Sequence, residues 1–311
     1  MANLALIFVC LAAGMLLRRS GRFTEAAPSA LGTFVVFVSL PALVLAQVPR
    51  LVATTSLDSD VLAPISMPWI AFGLAFVALS AIGRRLGWSR AAIGTLVLTV
   101  GLGNTSFVGY PLIESLLGAE ALRFAVLVDQ PGSFLALSTL GVGVGTWFAG
   151  GRVGIGSMLR RIVSFPPLVA LVIAVIWGAS GHYRQGTAIG AMLEKLAATL
   201  VPVALVTVGA QLRVDPVLLR AHLRPLALGL SLKLVVLPAL FVVLYGYVLS
   251  LRGLAIHVTI LQSAMAPMIT SAVLAAELGL DIELAGLMLG VGIPLSLVTV
   301  PLWNVALKAI L

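Results

Sequence analysis

The sequence predicts an all-α integral membrane protein of ten transmembrane helices, built as two inverted five-helix repeats whose fourth and ninth spans are broken. Three observations carry that reading. The composition is too apolar for a water-exposed surface, basic residues favour alternate loops by two to one, and proline and glycine positions recur in the two halves at one shared offset.

Of the 311 residues, 60% are hydrophobic and 10% are charged, with a mean hydropathy of +1.15. A soluble chain of this length needs a charged surface that is absent here. Apolar runs long enough to cross roughly 30 Å of hydrocarbon follow one another along the chain. The formal charge of +8 is spread over short loops rather than gathered on one face, which excludes a nucleic-acid-binding surface and fits membrane topology. Cys10, the single cysteine, cannot form an intrachain disulfide and reads as a packed thiol in an apolar helix. Met1 to Leu17 are apolar with no basic residue before them, and Arg18 and Arg19 follow, so this is expected to be an uncleaved first span.

Hydropathy places the spans at about 3–18, 27–47, 61–83, 91–118, 121–149, 162–181, 187–212, 223–250, 253–279 and 282–307. With the N-terminus outside, Arg18, Arg19, Arg22, Arg84, Arg85, Arg90, Arg152, Arg160, Arg161, Arg213, Arg220 and Arg224 fall on the cytoplasmic side. Arg50, Arg123, Arg184, Lys195, Arg252 and Lys308 fall outside, and Lys233 lies within the eighth span. Both termini are therefore expected on the periplasmic side of a bacterial inner membrane.

The repeat rests on three anchors. Pro41 and Pro202, Pro64 and Pro225, and Gly118 and Gly279 are each 161 positions apart (202 − 41, 225 − 64 and 279 − 118). Five spans per half is an odd number, so the second half must enter the bilayer with opposite orientation, the arrangement of many secondary transporters. The halves are expected at 1–150 and 151–311 of one membrane domain.

The fourth span carries Gly101-Leu102-Gly103-Asn104-Thr105-Ser106-Phe107-Val108-Gly109-Tyr110-Pro111, and the ninth carries Gln262-Ser263-Ala264-Met265-Ala266-Pro267-Met268-Ile269-Thr270-Ser271. Glycines, an asparagine and a proline in mid-membrane do not sustain an uninterrupted helix. Non-helical backbone at that depth is tolerated only where protein buries it or it lines a cavity. Each break exposes the N-terminus of a half-helix, with free N–H groups and partial positive charge, and two of them can face one anion. Asn104, Thr105, Ser106, Pro111, Gln262, Pro267, Thr270 and Ser271 are the candidate substrate-binding residues. The bland alternative is a pair of ordinary proline kinks, with Ser and Thr bonding back to their own helices.

Asp129, in Val128-Asp129-Gln130-Pro131-Gly132, is an intramembrane carboxylate directly after the first break. It is a candidate for taking up a proton or holding a cation, or else a structural partner of Lys233. Lys233 in turn attracts an anion or snorkels to the interface. Glu114 sits near the outer end of its helix, and Glu277, Asp281 and Glu283 read as a solvated turn. His257 is interfacial, and Trp69, Trp88, Trp147 and Trp303 fit an aromatic belt. No H-E-x-x-H, G-x-S-x-G or G-x-x-x-x-G-K motif occurs, and His182, His222, His257 and Cys10 do not make a metal set. The reading is therefore of a non-enzyme without metal or cofactor, with protons or sodium open as coupling ions.

Gly103-Asn104-Thr105-Ser106-Phe107-Val108-Gly109-Tyr110-Pro111-Leu112, continuing to Gly118, resembles the G-N-x-x-F-x-G-x-P-L signature of the auxin efflux carrier family. The stretches Pro202 to Leu212, Lys233 to Pro238, Ala264 through Gly279 and Pro294 to Trp303 resemble it too. The resemblance implies ten helices with broken helices four and nine crossing, and a homodimer in the lipid bilayer working by an elevator-like motion. Helices 1, 2, 6 and 7 would form the scaffold and helices 3–5 and 8–10 the moving part. With no long central hydrophilic loop, the chain is similar to the bacterial members. The function expected is secondary active transport of a small organic anion such as a carboxylate. The alternatives are a cation/proton antiporter of related architecture and a non-transporting membrane receptor.

Overall fold

The computed structural model describes residues 2–54, 58–151, 154–180, 186–212 and 216–310. Arg152, Arg184 and Arg213, which enter the charge bias, and His182 lie outside the described residues. Among the described residues the chain is helical throughout and forms no sheet, its only β-type pairing being one isolated bridge.

In chain order the helices are α1 (Ala2–Arg19), α2 (Ala27–Ala53), α3 (Ser59–Arg85), α4 (Arg90–Gly101), α5 (Tyr110–Leu117) and α6 (Ala119–Phe148). They continue with α7 (Ile155–Val163), α8 (Pro166–Ala179), α9 (Ala188–Gln211), α10 (Pro216–Ala221), α11 (Leu223–Val248), α12 (Leu254–Ser263), α13 (Ile269–Glu277) and α14 (Ile282–Ile310). Six of these, α2, α3, α6, α9, α11 and α14, are long and apolar enough to cross a membrane, and α4, α8 and α12 are shorter apolar pieces. The span expected at 91–118 is thus two helices, α4 and α5, and the one at 253–279 is α12 and α13. The span expected at 162–181 starts later, because Pro166 and Pro167 open α8 as a new helix and leave α7 separate.

Small residues set the closest helix approaches. A Cβ on Gly14 of α1 would stand 2.2 Å from the Val206 carbonyl oxygen of α9, and one on Gly209 of α9 would stand 2.2 Å from that of Leu11. On α8, a Cβ at Gly178 would fall 2.7 Å from the Pro49 carbonyl oxygen of α2. Where lipid removes the hydrophobic drive between helices, such backbone-to-backbone packing supplies the association. Ser39 and Thr199 share a 2.8 Å hydrogen bond between α2 and the middle of α9.

Trp69 and Trp303 tie their helices to neighbours. Both are half-buried, and their indole N–H groups donate to main-chain carbonyls of neighbouring helices, Trp69 to Pro131 at 3.1 Å and Trp303 to Leu234 at 2.9 Å. Pro238 frees the Leu234 carbonyl from its intrahelical donor four residues on, since Pro lacks the N–H. Asp281 is similarly tied down. Its Oδ1 caps Leu284 N at 3.0 Å, and its N–H donates to Thr95 Oγ1 at 3.0 Å.

Gly209→Val is expected to overpack the α1–α9 contact and lower stability by about 1–3 kcal/mol. Gly32→Ala, with nothing within 4 Å of the added carbon, serves as the neutral control in thermal melts of purified protein.

Candidate functional site

The two interruptions cross each other. Gly103 and Pro267 form an antiparallel bridge, in which Asn104 N–H donates to the Ala266 carbonyl at 2.7 Å and Met268 N–H to that of Leu102 at 3.1 Å. Each break thereby supplies hydrogen-bond partners for the other, which an isolated break inside a bilayer would lack. Glycine at 103 keeps the approach uncrowded, since a Cβ there would stand 3.1 Å from Lys233 Nζ and 3.4 Å from the Gln262 carbonyl oxygen. Across the crossing, Gln262 Nε2 donates to the Thr105 carbonyl at 3.3 Å.

The two half-helices start differently. At the first, Asn104 Oδ1 accepts from Phe107 N at 3.1 Å and Val108 N at 3.3 Å, so this end is capped by its own side chain before any ligand arrives. The helical path then widens to a π-turn over Thr105–Gly109 and runs into α5. At the second, Met268 occupies the cap position and offers no side-chain acceptor, leaving the first-turn N–H groups of α13 without a side-chain partner.

Between them lies a buried cavity of about 50 Å³, lined by Asn104, Thr105, Ser106, Asp129, Gln130 and Thr270 among polar residues. Phe107, Phe134, Phe165, Met268 and Ile269 wall it, with Val36 and Leu40 of α2 closing one side. Phe134 and Phe165 stack with ring centroids 3.5 Å apart. Asn104 Nδ2 is buried and has no hydrogen-bond partner. Asn104 lines the cavity, and a buried donor without a partner would be satisfied by an acceptor from a ligand.

Asp129, 1% exposed, is the most heavily bonded side chain of the site. Its Oδ1 accepts from Thr105 Oγ1 at 2.5 Å and Ser106 Oγ at 2.5 Å, and its Oδ2 from Tyr110 OH at 2.9 Å and Gln130 Nε2 at 2.5 Å. Four donors on one carboxylate suit its ionised form. Gln130 Oε1 and Ser133 Oγ, close by in sequence, are buried without partners.

Lys233 is not the partner of Asp129. It is buried against Gly103, outside the cavity lining, and among the described residues no carboxylate lies within ion-pair distance of it. The alternative of a snorkelling lysine is excluded by the same burial, at 2% exposure.

Of the sequence-predicted residues, the structure brings Asn104, Thr105, Ser106, Thr270 and Asp129 to one cavity. Gln262, Pro267 and Pro111 belong to the scaffolding of the crossing rather than to its lining, and Ser271 bonds back to the Met268 carbonyl at 2.7 Å. Sequence reasoning missed Gln130 as a site residue, as well as Tyr110 and the phenylalanine wall. The signal for Gln130 was its place beside the intramembrane Asp129.

A larger vestibule of about 280 Å³ adjoins on the other side of Tyr110, between α2, α9 and the α5–α6 turn. It is lined by Arg50, Glu114, Glu120 and Glu194, and Arg50 pairs with Glu120 at 2.7 Å.

Long apolar helices, two of them interrupted and crossing around a buried polar cavity, define a multi-pass membrane protein with an intramembrane site. The chain belongs to the family described as Membrane transport protein, whose family model matches residues 1–150 and 152–304. This bears out the resemblance seen in the Gly103–Gly118 signature, and membrane transport is its function class. The chain is 32% identical over 303 residues to an uncharacterized transporter of Methanothermobacter thermautotrophicus, covering 97% of this chain and 96% of that protein. It is 25% identical over 306 residues to an uncharacterized transporter of Methanocaldococcus jannaschii, covering 96% of each. Both relatives are archaeal, so the likeness is not confined to bacterial proteins.

Asn104→Ala removes two N-terminal bonds and is expected to cost about 0.5–2 kcal/mol of stability, measured as a lower melting temperature.

Proposed function

We propose that this protein is a secondary carrier of a small organic anion, a carboxylate in the first instance, which binds where the broken helices cross. One observation carries the reading: the uncapped start of α13 and Asn104, whose Nδ2 has no partner, line the same buried cavity. Free N–H groups at a helix start favour an anion, and a buried amide donor without a partner favours an acceptor. Phe107, Phe134 and Phe165 suit the apolar part of an organic acid.

The carrier is read as ten spans in two inverted halves, 1–150 and 151–311. Reciprocal packing supports this: α1 meets α9 as α8 meets α2, and Trp69 reaches from span three to span five as Trp303 reaches from span ten to span eight. Gly118 and Gly279, at the shared offset, both follow a second half-helix with positive φ, 86° and 68°. In the elevator-like motion of this homodimer, helices 3–5 and 8–10 carry the crossing past α2, which contributes Val36 and Leu40 to the cavity wall. Both termini face the outside of the cytoplasmic (inner) membrane. The cation/proton antiporter reading draws on Asp129, since a buried carboxylate beside a cavity also suits a cation.

Reconstituted protein is expected to catalyse counterflow of labelled benzoate or acetate. Asn104→Asp should reduce exchange by roughly tenfold or more, as expected for losing one hydrogen bond to a charged ligand, about 1.5–3 kcal/mol. Saturable binding without exchange would instead indicate a receptor, and sodium exchange without any organic substrate an antiporter.

A further inference from the structure

Asp129 already holds two of the hydroxyl donors that a bound anion would use. Thr105 and Ser106 line the cavity, yet both hydroxyls point to Asp129 Oδ1 at 2.5 Å. A carboxylate entering the cavity would meet an ionised carboxylate within the same wall. In a water-poor interior two like charges so close do not both stay ionised.

Resting on the carrier reading, we propose that the anion enters together with one proton, which Asp129 takes up as it releases the Thr105 and Ser106 hydroxyls to the anion. The step balances without a further reactant. A proton from water adds to one Asp129 oxygen, the two O–H groups rotate from Asp129 to the incoming carboxylate, and the net charge of the cavity is the same before and after loading.

Two features are built for this exchange. The neutral form of Asp129 has an O–H to donate, and Gln130 Oε1, on the neighbouring residue, is a buried acceptor with no present partner. Rotation of the Gln130 amide exchanges the N–H now given to Oδ2 for that oxygen. Tyr110, a lining residue of the vestibule, donates its hydroxyl to Oδ2 at 2.9 Å and can keep that bond to either form of Asp129.

The groups around Asp129 add no competing titration at its depth. From the crossing, Tyr110 is the titratable group bonded to it. α3 packs on this stretch through Pro68 and Trp69 and carries Asp60, Arg84 and Arg85 only at its ends. α8, led in by Phe165, carries no charge, and Lys233 lies against Gly103 outside the cavity.

The test uses benzoate and acetate on purified, weakly buffered protein, across a neutral to mildly alkaline range where both acids stay ionised. Adding either is expected to take up about one proton per anion bound, read with a pH-indicator dye. The apparent affinity should strengthen by up to about tenfold for each unit that pH falls. Asp129→Asn, a fixed neutral mimic, should bind without proton uptake or pH dependence and lose uphill accumulation driven by a proton gradient. Binding by the unaltered protein without proton uptake overturns the handover while leaving the carrier reading intact. So does unchanged pH dependence in Asp129→Asn. Absence of both binding and counterflow for every small carboxylate tried overturns the carrier reading and this inference with it.

Discussion

The structure depends on two unwound stretches of backbone satisfying each other inside a bilayer. A break in a transmembrane helix leaves N–H and C=O groups that lipid cannot solvate, and each such group costs several kcal/mol. Here Asn104 N–H meets the Ala266 carbonyl and Met268 N–H meets the Leu102 carbonyl, so neither break is tenable without the other. Pairing fixes the crossing point, and the crossing point fixes which half-helix ends face the cavity. Gly103 lies at this crossing, with Lys233 and Gln262 close to the space that a side chain would take.

Once the breaks are paired, their ends divide the work unequally. The first is closed on itself by Asn104 and on Asp129 by the Thr105 and Ser106 hydroxyls. The second, beginning at Met268, is open. A pseudo-symmetric pair of identical anion cradles is therefore not what these residues build. One side brings an uncommitted helix start. The other brings a carboxylate that already holds the nearby hydroxyl donors, and in the proposed handover this asymmetry links the binding of an anion to the protonation of Asp129.

Much of this was legible in the sequence, and the reasons are physical. Hydropathy reports burial in lipid directly, so the apolar spans were readable. Gly103, Asn104, Pro111 and Pro267 marked both breaks because proline and glycine act on the backbone locally, whatever the tertiary context. Asp129 stood out because an intramembrane carboxylate is costly. Side-chain direction was not legible. Gln262 and Ser271 have the right chemistry and sit beside the break, yet one braces the Thr105 carbonyl and the other bonds back to Met268. Lys233 and Asp129 were natural partners on charge alone, and only the three-dimensional course of α6 and α11 separates them. The reach of Trp69 and Trp303 was likewise not legible, since the carbonyls they bond belong to other helices.

The central claim is that the anion sits between Asn104 and the start of α13, and it has a concrete rival in the larger vestibule beside Arg50. An experimental structure with bound bromoacetate, located by the anomalous signal of bromine, distinguishes them. Bromine is expected in the cavity at the crossing, with the carboxylate on Asn104 Nδ2 and the first N–H groups of α13. Bromine confined to the vestibule, with the crossing empty, would contradict it.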